Sequence, residues 1–213
     1  MSLPERTSPI RQPVAPKPTA SDVLIGRDPD ILNDIRGPGV AAAIWRRPMH
    51  PTFQNWIDGL DDTQLPRLRT LVPVHKAETA VLIACGIAKT PQGPELDRFA
   101  RDVSALTVQY CRIMGTDYAR IRLDVTDEAM CPKFHRDNVP ARLICTYRGS
   151  GTQYVPDPYQ NDPQRIRQMH TGDAALIRGE RWPSEERCGL LHRSPPMTHG
   201  SRPRLLLVID IAD

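Results

Sequence analysis

The stretch Tyr118-Ala119-Arg120-Ile121-Arg122-Leu123-Asp124-Val125 alternates apolar and polar residues. Side chains of a β-strand point alternately to its two faces, so this pattern predicts a half-buried strand. The stretch comes soon after Gly115, where the hydrophobic period changes from that of a helix to that of a strand. The fold class therefore depends on what lies on either side of it.

The sequence before this strand is predicted to be mainly helical. Apolar residues between Pro94 and Met114 recur at intervals of three and four, which is the spacing of one face of an α-helix. Pro94 suits the first turn of this helix, and Gly115 suits the position that follows its last turn. Shorter patterns predict a helix at 79–88, a helix at 53–60 and a strand at 40–45.

The sequence after this strand predicts a series of further short strands. They are expected at Ala141–Tyr147, Ala174–Ile177, Gly189–His192 and Arg204–Ile211. A mainly helical half, residues 23–116, followed by at least five strands in residues 117–213 indicates an α+β fold whose second half is a β-sandwich or barrel. The length of the chain suits one domain over residues 23–213. Residues 1–22 contain five prolines and are expected to form a disordered tail.

Composition excludes several classes of partner. The net charge is only +3 and no dense basic run occurs, so nucleic acid binding is not indicated. No apolar run is long enough to span a membrane, and the N-terminus lacks the apolar core of a secretory signal. Five cysteines without a Cys-x-x-Cys motif favour a reducing compartment, and we expect a cytoplasmic protein. The expected partner is a small-molecule or peptide substrate, and the sequence leaves the oligomeric state open, a homodimer included.

Two distant runs contain side chains that bind first-row transition metals. They are Cys131-Pro132-Lys133-Phe134-His135-Arg136-Asp137 and Cys188-Gly189-Leu190-Leu191-His192-Arg193-Ser194-Pro195. On a strand, His135 and Asp137 would point to the same side, and His192 could reach them from a strand far along the chain. Two imidazoles and one carboxylate leave open positions on the metal, an arrangement that suits Fe(II). We predict these three residues as ligands, with Asn138 and Tyr147 as catalytic candidates lining the pocket.

Two alternatives use the same residues differently. Cys131, His135, Cys188 and His192 could form a closed Cys₂His₂ zinc site, which would leave Asp137 without a role and no position for a substrate. The third interpretation is a binding module without metal, in which the loop at 149–152 and the many arginines present a surface to a partner. Only the first of the three interpretations predicts an enzyme.

The spacing of the three predicted ligands resembles that of the jelly-roll iron and 2-oxoglutarate dioxygenases. In this chain a His-x-Asp motif is followed by a histidine 55 residues after Asp137 (192 minus 137), and the resemblance covers Tyr118–Asp213. It implies a C-terminal double-stranded β-helix (jelly roll, cupin-like) on which the helical N-terminal half packs, with Fe(II) and 2-oxoglutarate as cofactors. It also implies a basic residue that holds the 2-oxoglutarate carboxylate after the distal histidine, a role that either Arg202 or Arg204 could fill.

A second resemblance covers more of the chain. Its motifs are Phe134-His135-Arg136-Asp137-Asn138, Thr146-Tyr147-Arg148-Gly149-Ser150-Gly151-Thr152, Ile177-Arg178-Gly179-Glu180 and His192-Arg193-Ser194-Pro195-Pro196. They resemble an uncharacterised bacterial family, the domain of unknown function number 1826. Members of that family often lie near genes for zinc homeostasis, which implies a cytoplasmic, metal-related role without naming a reaction.

Overall fold

The computed structural model describes residues 17–127, 130–197 and 200–211. Its α-helices are α1 (Pro51–Gly59), α2 (Ala77–Ile87) and α3 (Pro94–Met114), and its longest 3₁₀ helix covers Pro29–Arg36. Its first six strands are β1 (Thr19–Ala20), β2 (Asp22–Gly26), β3 (Val40–Trp45), β4 (Leu68–Pro73), β5 (Tyr118–Thr126) and β6 (Ala141–Arg148). The other six are β7 (Gln153–Pro156), β8 (Arg167–Gln168), β9 (Ala174–Arg178), β10 (Arg187–Cys188), β11 (Leu190–Arg193) and β12 (Arg204–Ile211).

Seven of these strands form one large sheet. Their order is β2-β3-β9-β6-β12-β5-β4, and only the pair β2–β3 is parallel. The last strand, β12, lies in the interior of this sheet, where Leu207 pairs with Leu123 of β5 on one side and with Cys145 of β6 on the other. The predicted strand of residues 118–125 is therefore confirmed as β5, and one of its neighbours in space is β12, the last strand among the described residues.

A smaller sheet faces the large one. It contains β11, β7 and β8 in that order, and the segment 131–135 extends it beyond β11. His135 and His192 exchange two backbone hydrogen bonds of 3.0 Å, and the amide of Ser194 donates to the carbonyl of Cys131. Four strands thus line up opposite the large sheet.

The chain passes back and forth between the two sheets. In sequence order, β5, β6, β9 and β12 belong to the large sheet, whereas the segment 131–135, β7, β8 and β11 belong to the small one. Eight strands distributed in this way over two facing antiparallel sheets form a jelly roll. The α+β class and the jelly-roll topology of the second half therefore agree with the prediction.

Two apolar cores lie on the two faces of the large sheet. On one face α3 packs through residues such as Phe99 and Val103, and Tyr110 donates a hydrogen bond of 3.0 Å to the carbonyl of Ala141. On the other face, between the sheets, Ile144 and Val208 meet residues of the small sheet. The end of α3 is as predicted, because Gly115 adopts a left-handed conformation with φ of 67°.

The first half differs from the expected helical layer. Helices cover more of residues 23–116 than strands do, but β2, β3 and β4 contribute three of the seven strands of the large sheet, so this half is not a separate helical layer. Only β3 was predicted, because the sequences of β2 and β4 lack a clear alternation of apolar and polar residues.

The predicted tail is also shorter than expected at its C-terminal end. Residues 19–20 and 22 lie in strands, and Ala20 is fully buried beside β10. Pairing with distant backbone orders this proline-rich segment, which composition alone does not reveal. Residues 1–16 of the predicted tail lie outside the described residues. Within the part of the chain that the structure describes, no helix has the length and apolar character needed to cross a lipid bilayer.

Candidate metal centre

The three predicted metal ligands meet between the two sheets. Asp137 Oδ2 lies 3.0 Å from His192 Nε2, and Asp137 Oδ1 lies 3.6 Å from His135 Nε2. One potential ligand atom from each residue falls within 4.8 Å of the other two. Residues 55 positions apart in the sequence (192 minus 137) therefore form one compact donor set, which we call the triad.

Backbone pairing and one side-chain hydrogen bond orient the two imidazoles. The His135–His192 bridge fixes the two residues opposite each other, with ring centroids 4.6 Å apart. His135 Nδ1 lies 3.0 Å from the carbonyl of Lys133, which accepts a hydrogen bond from the protonated Nδ1. That tautomer leaves the lone pair of Nε2 free on the side of Asp137, as a metal ligand requires.

Asp137 is held by a buried chain of charges. Arg142 Nη1 donates to Asp137 Oδ1 at 2.5 Å, and the same guanidinium donates to both oxygens of Asp210 at 2.7 and 2.8 Å. Arg142 and Asp210 are directly paired on β6 and β12, so the large sheet supports the carboxylate of the triad. Sequence analysis missed both residues, although Asp210 follows five consecutive apolar residues, 205–209, in β12 and could have been noticed for that reason.

Electrostatics keep the carboxylate of the triad ionised. Burial alone would raise the pKa of Asp137, but its contacts with His135 and His192 and the charge of Arg142 outweigh this and hold the pKa well below its usual range. The contact with Asp137 raises the pKa of His135, since a nearby anion stabilises the imidazolium.

The triad fits a metal ion. Asp137 Oδ2 is buried and has no hydrogen-bond partner among the described residues, although it lies against His192. A buried carboxylate oxygen without a hydrogen bond is costly, and coordination to a cation would satisfy it. Two imidazole nitrogens and a carboxylate oxygen suit a divalent first-row transition metal and occupy only three positions of its coordination sphere.

The two catalytic candidates have different places. Tyr147 lies on the helix side of the large sheet, where its ring is 4.9 Å from that of Phe99 and its hydroxyl donates to Asp102 at 2.5 Å. The structure therefore corrects the prediction that Tyr147 lies beside the triad. The alternation of β6 agrees with this correction, because Tyr147 shares its face with the apolar Leu143 and Cys145, whereas Arg142 and Thr146 lie on the other face. Asn138 directly follows Asp137 and is exposed, and its catalytic role stays a prediction.

The cysteines do not join the triad. Among the described residues, the metal-capable cluster of His, Cys, Asp and Glu side chains consists of His135, Asp137 and His192 alone. Cys131 is exposed, whereas Cys188 is buried with its Sγ 3.7 Å from the carbonyl of Leu190. The alternative Cys₂His₂ zinc site is therefore not formed.

The two arginines proposed for a cosubstrate carboxylate differ sharply. Arg202 is exposed and donates to the carbonyl of Asp58 on α1. Arg204 is 1% exposed, and it donates from Nε to the carbonyl of Ser150 at 2.8 Å and from Nη2 to Thr146 Oγ1 at 3.3 Å. Among the described residues no carboxylate pairs with Arg204, and burial lowers its pKa to about 10.

Arg204 lies on the inner face of the jelly roll. Its partner Thr146 is four residues from Arg142 along β6, a separation of roughly 13 Å, and residues at even spacing on a strand share one face. The buried guanidinium therefore lies farther along the same interior that contains the triad. This leaves Arg204 as the better placed of the two candidates.

The fold and the site together define a jelly-roll protein with a triad that can hold a metal. The chain belongs to the family described as "Protein of unknown function (DUF1826)", whose model matches residues 26–210. This confirms the second resemblance found in the sequence. No curated protein matches the chain.

Several solved structures are similar to this chain at low identity. A rice dioxygenase for auxin oxidation is 13% identical with a TM-score of 0.45, and the match covers 88% of this chain and 81% of that one. The Arabidopsis thaliana enzyme AtDAO1, in a complex with 2-oxoglutarate, is 9% identical with a TM-score of 0.47 over 88% and 91% of the two chains. JOX2, in a complex titled as containing 2OG, Fe and JA, is 10% identical with a TM-score of 0.45 over 93% and 77%. Because these TM-scores are below 0.5, the fold assignment rests on the strand order described above.

Proposed function

We propose that the protein is an Fe(II)- and 2-oxoglutarate-dependent oxygenase whose metal ligands are His135, Asp137 and His192. The observation that carries this proposal is the buried Asp137 Oδ2, which lacks a hydrogen bond and lies 3.0 Å from His192 Nε2 inside a jelly roll. Fe(II) bound there would supply the activation of O₂ that is coupled to oxidation of the cosubstrate. The substrate is an unidentified small molecule or peptide.

The residues around the triad prepare it for a cation. Asp137 carries its negative charge at neutral pH because its pKa is held low. Arg142 fixes the direction of this carboxylate and is itself clamped by Asp210. Such supporting partners orient metal ligands and tune their affinity in other metalloproteins.

Arg204 is the residue we propose for the distal carboxylate of 2-oxoglutarate. Its guanidinium is buried without a carboxylate partner, so a bound carboxylate would neutralise a charge that burial otherwise destabilises. The hydroxyl of Thr146 lies beside it as a second donor. A planar guanidinium matches a carboxylate with two parallel hydrogen bonds, which suits a five-carbon dicarboxylate.

The test is metal loading followed by cosubstrate turnover. Protein reconstituted anaerobically with Fe(II) should hold about one iron per chain and convert 2-oxoglutarate to succinate when O₂ is admitted. Asp137→Ala should lose both properties, and its fold should survive because Arg142 keeps its pairing with Asp210. Cys131→Ser is the matched control and should retain the iron, since Cys131 is exposed and outside the triad.

Two results would contradict the proposal. The first is bound zinc that is retained in Asp137→Ala and lost in Cys131→Ser, a result that would favour the Cys₂His₂ zinc site instead. The second is iron that is bound by the triad while 2-oxoglutarate is neither bound nor consumed. Arg204→Gln separates the steps, because it should weaken 2-oxoglutarate binding while iron remains bound.

A further inference from the structure

A cavity lies toward the end of β6 that is opposite the triad. It has a volume of about 1180 Å³ and opens between the end of β3, helix α1, the loop after β6 and the turn before β9. None of the residues that line it belongs to the triad, although the carbonyl of Ser150 at its rim accepts the hydrogen bond from Arg204. The cavity is therefore separate from the metal centre, and we call it the arginine cleft.

Three arginines line the arginine cleft, and they differ in how far nearby carboxylates neutralise their charges. Arg47 is fully paired, because its two terminal nitrogens contact Asp102 at 2.5 and 2.8 Å. Arg46 is not, since its Nε is buried without a hydrogen bond and the nearest carboxylate, Asp173, is 3.9 Å away. Arg27 forms no ion pair within the described part of the chain. Two guanidinium groups at this cleft therefore have donors available for an anion.

The arginine cleft also has an aromatic wall in a fixed orientation. The indole nitrogen of Trp45 donates to the carbonyl of Arg27 at 3.0 Å, and the guanidinium of Arg47 lies 4.9 Å from the centre of the ring. Met49 and Met169 line the same cavity. Thioethers adapt to flat apolar surfaces and make favourable contacts with aromatic rings. A planar ring would thus find both an aromatic partner and polarisable neighbours here.

We infer that the arginine cleft is a binding site for a small aromatic anion. Its ring packs beside Trp45 and Met169, and its carboxylate or phosphate accepts hydrogen bonds from Arg46 and Arg27. Charge-assisted hydrogen bonds to a guanidinium fit both kinds of anion, and the volume exceeds the few hundred Å³ that a small ligand needs. The inference uses no residue of the triad and holds whatever reaction the metal centre performs.

The experiment compares matched ligands on the intact protein. One arm titrates 1-naphthoate against 1-naphthalenemethanol, and the other titrates adenosine monophosphate against adenosine, both followed by calorimetry and by tryptophan fluorescence. At least one anion should bind about tenfold more tightly than its neutral counterpart. Whether this is 1-naphthoate or adenosine monophosphate shows whether the cleft prefers a carboxylate or a phosphate. Arg46→Gln should weaken that binding about tenfold, as expected for loss of a hydrogen bond to a charged group.

Two further variants make the outcome decisive. Arg69→Gln is the control, because Arg69 is exposed on β4 at the far edge of the large sheet and its replacement should leave binding unchanged. Arg27→Gln alters an exposed side chain, so it should fold and should also weaken binding. Absence of binding by both anions, equal binding of the neutral compounds, or equal losses in Arg46→Gln and Arg69→Gln would overturn the inference. Loss of binding in Asp137→Ala would also overturn it, because the ligand would then lie at the metal centre.

Discussion

Replacing Arg142 by Met should destabilise the metal-free protein by about 3 kcal/mol. The substitution keeps an unbranched apolar stem but removes the guanidinium and its positive charge between Asp137 and Asp210. Both carboxylates are largely buried, with side chains 11% and 7% exposed, and on loss of the guanidinium Asp137 loses one hydrogen bond and Asp210 loses two. Removing one partner of a fully buried ion pair costs about 3–5 kcal/mol, and we take the lower limit because Arg142 is itself 19% exposed.

The assay is urea denaturation followed by circular dichroism in the presence of a chelator, so that bound metal does not contribute. Arg122→Met is the matched control on β5, which β12 separates from β6 in the large sheet. Arg122 is 21% exposed and lies 3.8 Å from Asp124, but its Nε has no hydrogen bond among the described residues. Its loss should cost less than about 1 kcal/mol, as for other loosely paired charges.

A double variant tests whether the charges act as one unit. Asp210→Leu removes one of the two carboxylates that Arg142 serves, so the combined variant Arg142→Met/Asp210→Leu should cost at least 1 kcal/mol less than the sum of the two single costs, as coupled neighbours do. Additive costs, or a cost for Arg142→Met no larger than that of Arg122→Met, would refute the idea that the large sheet supports the triad through this chain of charges.

Three other changes test separate parts of the structure. Tyr147→Phe should cost about 1 kcal/mol in urea denaturation through a lost hydrogen bond and leave the metal content unchanged; a loss of metal would contradict its place in the helix-side core. The hydrogen bond from Arg178 lowers the pKa of Glu186, so the stabilisation from this carboxylate is present above its unfolded pKa, near 4.5, and is lost as the pH falls through the lowered value. Glu186→Gln should therefore flatten the loss of stability below pH 4.5 in an acid titration, and an unchanged slope would contradict this. Gly179→Ala should lower both the melting temperature and the metal occupancy, because the Cβ of the new alanine would lie 2.0 Å from the carbonyl oxygen of Val139, two residues after the ligand Asp137. Full metal occupancy in this variant would contradict the prediction.

Periodicity predicted the elements whose two faces differ. Helix α3 has one buried stripe, and β5 alternates buried and half-buried residues, so both were found with nearly correct ends. The triad was predicted because its spacing reflects chemistry. Residues that are two positions apart on an extended backbone point to the same side, and imidazole and carboxylate groups are common metal ligands.

Elements whose surroundings come from distant parts of the chain were harder to predict. Strand β4 exists because it pairs with β5, and β1 exists because it pairs with β10, contacts that local sequence does not encode. The support of Asp137 by Arg142 and Asp210 likewise requires the register of two strands that are far apart in sequence.

The interior position of β12 in the large sheet has a consequence for synthesis of the protein. Strands β5 and β6 are not neighbours, and each presents an unpaired edge until β12 is inserted between them. The first residue of β12 follows the last residue of β6 by 56 positions (204 minus 148), and synthesis of this stretch at about 5–20 residues per second takes roughly 3 to 11 s. Open apolar edges invite pairing with other chains. The nascent chain is therefore most exposed to aggregation during those seconds, and a chaperone that covers β5 and β6 would protect it until its last strand emerges from the ribosome.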